Sequence, residues 1–114
     1  MALDQKQVDE LKSYFPNLKL VEEGGFEFIL ISPLALPPGC TPASVDGLLC
    51  PTKRDGYSSR LFLSAKVVHK GPAQNWNANG VLIADRNWWA VSWNTNRENL
   101  SLFGMVMAHL DAFR

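Results

Sequence analysis

The sequence predicts an α+β fold in which an antiparallel sheet lies between an N-terminal and a C-terminal helix. Apolar residues recur at helical spacing near both ends of the chain, and four short apolar runs separated by proline and glycine turns lie between them. Helices that flank a run of strands are typical of the α+β layer arrangement. Because 114 residues leave room for little more than one core, we predict a single domain over residues 1–114.

The first helix is predicted over residues 4–15. Asp4 and, three residues later, Gln7 resemble a capping box at its start. Apolar residues then recur at helical spacing until Pro16, which cannot continue a helix. This pattern indicates an amphipathic helix.

Four strands are predicted after this helix, in the order of an antiparallel meander. A glycine pair, a Pro37-Pro38-Gly39 corner and an Asp55-Gly56 turn separate the apolar runs. The predicted strands cover residues 18–22, 26–36, 44–49 and 60–64.

The segment from about residue 66 to 95 is predicted to be a long ordered active-site loop. Its apolar residues keep no sustained period, although two short stretches near VLIA and WAVSW have strand character. Loops of this length in compact domains often carry function. After it, Thr95 and Glu98 resemble a second capping box, and an apolar face predicts a closing helix that reaches about residue 112.

Composition argues against several classes of partner. Eleven basic and eleven acidic residues cancel, and no basic run is present, so we expect neither nucleic acid nor a membrane surface as a partner. No stretch approaches the ~18 apolar residues of a membrane span, and the N-terminal stretch lacks the apolar block of a secretion signal. We therefore expect a cytoplasmic protein. The two cysteines and two histidines lack metal-ligand spacing, so we expect no metal and no cofactor.

Residues 74–83, QNWNANGVLI, resemble the active-site element of ubiquitin-conjugating enzymes. In that family a His-Pro-Asn element is followed closely by Asn-Ser-Asn-Gly-x-Ile-Cys, and the two patterns align without a gap. The stretch Asp55-Gly56-Tyr57-Ser58 is similar to the tyrosine-proline turn before the family's fourth strand. With its order of helix, strands, loop and helix, the chain resembles the ubiquitin-conjugating fold. It looks most like the compact bacterial members that accompany ubiquitin-like proteins, activating enzymes and JAB-type peptidases.

The resemblance implies a conjugating transferase. Such a carrier accepts the activated C-terminus of a ubiquitin-like protein from an activating enzyme and passes it to an amine, here in a bacterial system of the antiviral-defence kind. Ala73 and Gln74 replace the family's His and Pro, and Ile83 stands where the acceptor cysteine belongs. An isoleucine cannot hold an acyl group, so the carrier needs a displaced nucleophile. Only Asn75 is carried over, as an amide that supports the loop or donates to a developing oxyanion.

Two alternatives to a carrier remain open. The first is a catalytically inactive variant that binds a ubiquitin-like protein or scaffolds a conjugation complex, and Ile83 favours it. The second is a small ligand-binding domain with no part in conjugation, for which the sequence offers no polar pocket signature.

Three residues are candidate nucleophiles for the carrier. Cys50 precedes a basic pair, and nearby cations favour the thiolate. Ser92 lies shortly before the closing helix, where it could share a crevice with Asn75, and Ser59 lies at the turn before the fourth strand; a serine would give an oxyester. Structural roles stay open for all three, because free cysteines are often small core residues and turn serines often bond backbone amides.

The other candidate residues would bind the partner. All four tryptophans lie within residues 74–94, and their rings could anchor the loop in the core or receive the partner's tail. Charged residues lie around the preceding turn, and an arginine among them could bind a terminal carboxylate through its forked N–H groups. His109, near the end of the closing helix, is expected to complement the helix dipole only. The predicted binding residues are Trp76, Trp88, Trp89, Arg54, Asp55, Tyr57 and Arg60.

Overall fold

In the computed structural model, the chain forms a six-stranded antiparallel sheet with a helix near each end of the sequence. The structure describes residues 3–71, 74–93, 95 and 99–114, and the numbers of elements refer to these residues. The elements are α1 (Gln5–Tyr14), β1 (Lys19–Glu23), β2 (Phe26–Ala35), β3 (Ser44–Cys50), β4 (Arg60–Leu63), β5 (Trp76–Ile83), β6 (Arg86–Val91), α2 (Leu102–Leu110) and a 3₁₀ turn (Asp111–Phe113). The predicted α+β class is confirmed, with six strands instead of four.

The strands lie in the order β1-β2-β3-β4-β6-β5. The first four form the predicted meander, in which each strand pairs antiparallel with the next. The last two form a hairpin, and β6 joins it to β4 through the single register pair Leu63↔Trp89. The hairpin therefore extends the sheet beyond β4.

The predicted long loop over residues 66–95 is wrong, because β5 and β6 form a hairpin within it, and they include most of the two stretches, near VLIA and WAVSW, that have strand character in the sequence. Two register shifts in the hairpin interrupt the alternation that would have revealed its strands. The Asn79-Gly80 pair, a common hairpin signal, lies inside β5, with Gly80 at φ 72°. The actual turn contains Ala84 and Asp85 at φ 52° and 62°, and alanine in this left-handed region gives no turn signal.

Helix α1 begins after Asp4, as predicted. The Asp4 carboxylate accepts a hydrogen bond from the Lys6 amide at 2.8 Å and so satisfies a free N–H of the first turn. Gln7 contacts the other helix, since its Oε1 accepts a hydrogen bond from the Leu102 amide at 3.2 Å. The two helices are thereby connected where each begins.

Helix α2 begins later than predicted. Its N-cap is Ser101, whose hydroxyl accepts a hydrogen bond from the Gly104 amide at 3.0 Å. The predicted capping box of Thr95 and Glu98 does not start this helix, and Glu98 lies outside the described residues. Asn99, at φ 59°, follows that pair, and a residue in the left-handed region interrupts a right-handed helix.

The helices pack on one face of the sheet and close a first core there. Its most deeply buried residues include Val8, Leu11, Ile29, Ile31, Leu34, Leu49, Leu61, Leu63, Val91, Leu102, Val106 and Leu110. Along β3, β4 and β6 these residues alternate with others that point to the opposite face, as strand geometry requires.

The opposite face of the sheet carries a second apolar core. Its buried residues are Phe28, Leu48, Cys50, Phe62, Ala78, Ile83, Trp88 and Ala90. The two hairpin tips meet over this face, where the Glu23 carboxylate accepts hydrogen bonds of 3.1 and 3.2 Å from the Ala84 amide. The guanidinium of Arg54 covers another part, 4.8 to 5.7 Å from the ring centres of Phe26, Phe28 and Phe62.

A truncation tests this second core. Trp88 is 1% exposed and donates through its indole N–H to the Ile83 carbonyl at 3.0 Å. We expect Trp88→Ala to lower the free energy of unfolding by about 3–5 kcal/mol in urea denaturation. Leu82 of the same hairpin is 67% exposed, so Leu82→Ala should change it by less than about 0.5 kcal/mol. Equal losses would contradict a buried core on this face.

Candidate functional site

Five polar side chains meet where the turn before β4 approaches β5 and the end of β6. The hydroxyls of Tyr57 and Ser92 are 2.8 Å apart in a hydrogen bond, and Asn77 Nδ2 donates to Tyr57 at 2.9 Å. Arg60 donates to the Asp55 carboxylate at 3.2 Å and to Asn77 Oδ1. We call these five residues the tyrosine cluster. Its hydroxyls and amide lie at the surface, while its cation lies below them.

Arg60 lies buried beneath the tyrosine cluster and holds most of its other residues in place. It is 4% exposed, and its guanidinium lies 4.6 Å from the centre of the Tyr57 ring. It also donates to the Val91 carbonyl at 3.3 Å. Burial of a cation is costly unless it is paired and hydrogen-bonded, and the contacts to Asp55, Asn77 and Val91 meet that requirement. The guanidinium therefore fixes Tyr57 and Asn77 relative to each other.

A tight turn places Asp55 and Tyr57 on either side of this cation. The backbone amides and carbonyls of Arg54 and Tyr57 exchange two hydrogen bonds of 2.9 Å. Asp55 and Gly56 lie between them at φ 55° and 87°, a conformation that the Asp-Gly pair favours. The turn predicted from this pair is therefore present.

A backbone hydrogen bond joins Ser92 and Asn75. The Ser92 amide donates to the Asn75 carbonyl at 2.7 Å, just past the end of β6. The side-chain amide that joins the tyrosine cluster belongs to Asn77, two residues further along the chain. Asn75 thus supports the backbone next to Ser92 through its carbonyl. Ala73 lies outside the described residues.

Ser59 points away from the tyrosine cluster and into the first core. Its hydroxyl lies 2.8 Å from His109 Nε2 on α2, and both residues are 5% exposed. Burial, and after it the positive charge of Arg60, lowers the pKa of His109 to about 4. The imidazole is therefore neutral near pH 7. This pair has the atoms of a serine nucleophile and its base, but burial keeps a protein tail away from it.

Cys50 lies wholly within the second core. Its side chain is 0% exposed, and burial raises the pKa of its thiol above the ordinary value, although the charge of Arg54 acts in the opposite direction. Cys40 is also buried, and burial raises its thiol pKa as well. A buried, protonated thiol is a poor acyl acceptor. Neither cysteine has the surroundings that the carrier hypothesis requires.

The tryptophans mainly hold the hairpin in place. Trp88 belongs to the second core, and Trp76 packs 6.0 Å, centre to centre, from the ring of Phe113. Trp93 donates to the Ala108 carbonyl at 2.9 Å. Trp76 and Trp89 are half-buried, so each keeps part of its ring in solvent. Trp88 is too deeply buried to receive a partner.

The sequence alone does not identify Asn77 or His109 as site residues. Asn77 becomes recognisable only once β5 is known to be a strand that approaches the turn before β4. His109 does carry a signal, because it falls within the apolar run LFGMVMAHL and spacing from Leu102 and Val106 places it on the buried side of α2. A histidine on such a face requires a buried hydrogen-bond partner.

Within the described residues, no group of three or more histidine, cysteine, aspartate or glutamate side chains could hold a metal ion. Over the same part of the chain, no helix is long and apolar enough to cross a membrane.

Acid should destabilise the protein through His109. An unperturbed histidine titrates near 6.5, whereas the pKa of folded His109 is about 4. Between these values the unfolded chain binds a proton that the folded chain does not, so the stability present above pH 6.5 is lost as the pH falls toward 4. The loss should reach roughly 3 kcal/mol. Urea denaturation at several pH values measures it, and His109→Gln should flatten the profile; an unchanged slope in that variant would refute this assignment.

Comparison of the chain with protein-family models, with curated proteins and with solved structures finds no match. Any functional conclusion therefore depends on the residues of the tyrosine cluster and on the sequence resemblance.

Proposed function

We propose that the chain is a ubiquitin-conjugating-like binding module that holds the C-terminal tail of a ubiquitin-like protein without forming a covalent bond to it. The resemblance to that fold is supported by the order of α1, the meander β1–β4 and α2, although the β5–β6 hairpin adds two strands between the meander and α2. The residue at the acceptor position, Ile83, is 1% exposed in the second core. A catalytically inactive variant of the fold fits both observations.

The proposal depends on the contrast between two buried thiols and a set of hydrogen-bonding groups at the surface. Both thiols are buried, and burial raises their pKa values, so the usual chemistry of a conjugating enzyme has no suitable group. The tyrosine cluster instead presents hydrogen-bonding groups at the surface: the hydroxyls of Tyr57 and Ser92 and the amide of Asn77. These groups suit recognition of a peptide better than acyl transfer.

The tail of a ubiquitin-like protein commonly ends in glycines, which offer little besides backbone N–H and C=O groups. Hydroxyls and a side-chain amide can both donate and accept hydrogen bonds with such a backbone. Arg60 holds Tyr57 and Asn77 in place before binding, which reduces the entropy lost on association. The Asp55 carboxylate, 54% exposed, adds an acceptor for an N–H group of the tail.

Removal of one hydroxyl tests the proposal. Tyr57→Phe should weaken binding of the ubiquitin-like partner about threefold to tenfold, the usual value of one hydrogen bond, when affinity is measured by isothermal titration calorimetry. Ser58→Ala is the matched control, because it also removes one hydroxyl, from an exposed residue next to Tyr57 that is outside the tyrosine cluster. If the two variants bind equally well, the tail does not use this site.

A second candidate function is a carrier that forms an oxyester at Ser92. It is favoured by the exposure of Ser92 and by the 2.8 Å hydrogen bond to Tyr57. In this reaction Ser92 Oγ attacks the thioester carbonyl presented by the activating enzyme, so that a C–O bond forms and the C–S bond breaks. The Ser92 proton passes to the Tyr57 hydroxyl, which gives its own proton to the departing thiolate.

An adduct assay separates the two functions. The protein is mixed with the ubiquitin-like partner, its activating enzyme and ATP, and the binding module predicts measurable association but no covalent adduct. An adduct that resists thiol, is cleaved by alkali, disappears in Ser92→Ala and persists in Ser58→Ala would establish the oxyester carrier instead. A thiol-sensitive adduct that disappears in Cys50→Ala would contradict both functions.

A further inference from the structure

A groove lined mainly by apolar side chains lies between the end of α1, the end of β2 and α2. It consists of two adjoining cavities of about 360 and 300 Å³ that share Tyr14, Phe15 and Ala35. Other apolar residues that line it are Leu18, Phe103 and Met107. We call it the helix groove. No residue of the tyrosine cluster lines it, so it needs an explanation of its own.

The groove presents an aromatic surface to solvent. Tyr14 is 58% exposed and stacks on Phe103 with ring centres 4.1 Å apart and an angle of 23° between the planes. Met107 beside them is half-buried and can adapt its shape to different ligands. Aromatic and methionine side chains are enriched in protein interfaces, and a continuous apolar surface left in water indicates a binding site.

The charged side chains that line the helix groove and the cavity beside it are all basic. A third cavity of about 540 Å³ shares four residues, including Pro16 and Leu18, with the groove and is lined by Lys12 and Lys19. Neither lysine forms an ion pair within the described part of the chain. Among the described residues, the only other charged side chain in these three linings is that of Arg114, which pairs with Asp111 at 2.7 Å. Thus no described aspartate or glutamate lines the groove or the adjoining cavity.

We propose that the helix groove binds an acidic amphipathic peptide segment of a partner protein. Its apolar side chains occupy the groove beside Tyr14 and Phe103, and its carboxylates pair with Lys12 and Lys19. A fatty acid has the same combination of apolar body and negative charge. The exposure of Tyr14 and Ala35 leaves the groove open, which suits a peptide better than a lipid tail that needs enclosure. This inference does not rest on the function proposed for the tyrosine cluster.

Amide NMR spectra of the full chain test the proposal. The probe is a short synthetic peptide of leucine, phenylalanine and glutamate, and the comparison peptide has lysine in place of every glutamate. The acidic peptide should shift the amide signals of groove residues such as Tyr14, Ala35 and Phe103. It should bind about tenfold more tightly than the basic peptide, as expected when two ion pairs are exchanged for repulsion.

Matched variants identify the groups responsible. Lys12→Glu combined with Lys19→Glu should remove the preference for the acidic peptide, whereas Lys6→Glu combined with Lys66→Glu makes the same charge change at exposed lysines outside these linings and should retain it. Ala35→Trp fills the groove and should weaken both peptides. The unliganded spectrum of each variant verifies its fold.

Three results would overturn the proposal. The first is equal affinity for the two peptides, and the second is a set of shifted signals that lies outside both the helix groove and the adjoining cavity of Lys12 and Lys19. The third is displacement of the acidic peptide by sodium octanoate at an equal or lower concentration, which would identify a lipid site.

Discussion

The buried guanidinium of Arg60 is the interaction on which the arrangement of the site depends. The hairpin of β5 and β6 meets the meander through one register pair in the sheet, Leu63↔Trp89. Besides the contact of Glu23 with Ala84, Arg60 at the start of β4 adds a further connection, because it donates to Asn77 on β5 and to the Val91 carbonyl on β6. Loss of either partner would leave a buried cation incompletely paired, which is strongly unfavourable. The same contacts that join the two parts of the sheet therefore shape the surface above them.

Strand alternation explains why neighbouring residues have different roles. Ser59 and Arg60 are adjacent, yet Ser59 faces α2 and bonds His109, while Arg60 faces the second core and the tyrosine cluster. The charge of Arg60 still acts on the imidazole, where it lowers the pKa of His109. The neutral His109 suits the apolar side next to α2. The cation of Arg60, held by hydrogen bonds, suits the side beneath the tyrosine cluster. The Ser59–His109 pair and the tyrosine cluster thus depend on each other through the adjacent residues Ser59 and Arg60.

Much of the fold follows from local sequence signals. Asp4 marks the start of α1, the prolines and glycines separate the strands of the meander, and Asp55-Gly56 makes the turn before β4. The hairpin does not follow from such signals. Its turn at Ala84 and Asp85 is left-handed without a glycine, and tertiary contacts, including the Glu23 carboxylate on the Ala84 amide, stabilise it. Such long-range support is not visible in a local pattern.

The site is only partly predictable for the same reason. Four polar residues near the expected site are identifiable from the sequence: Asp55, Tyr57, Arg60 and Ser92. Asn77 is brought to them by the β5–β6 hairpin, which the sequence predicts as a loop. The apolar residues around Cys50 indicate a strand, yet its burial depends on the second core, which residues distant in the sequence form on the far side of the sheet.

A double-mutant cycle tests most directly whether a protein tail binds at the tyrosine cluster. It combines Tyr57→Phe with deletion of the terminal glycines of the ubiquitin-like partner and compares the four binding free energies. If the tail contacts Tyr57, the two changes should be non-additive, with a coupling energy of about 0.5–1.5 kcal/mol. Additive effects would show that the tail binds elsewhere and would contradict the account.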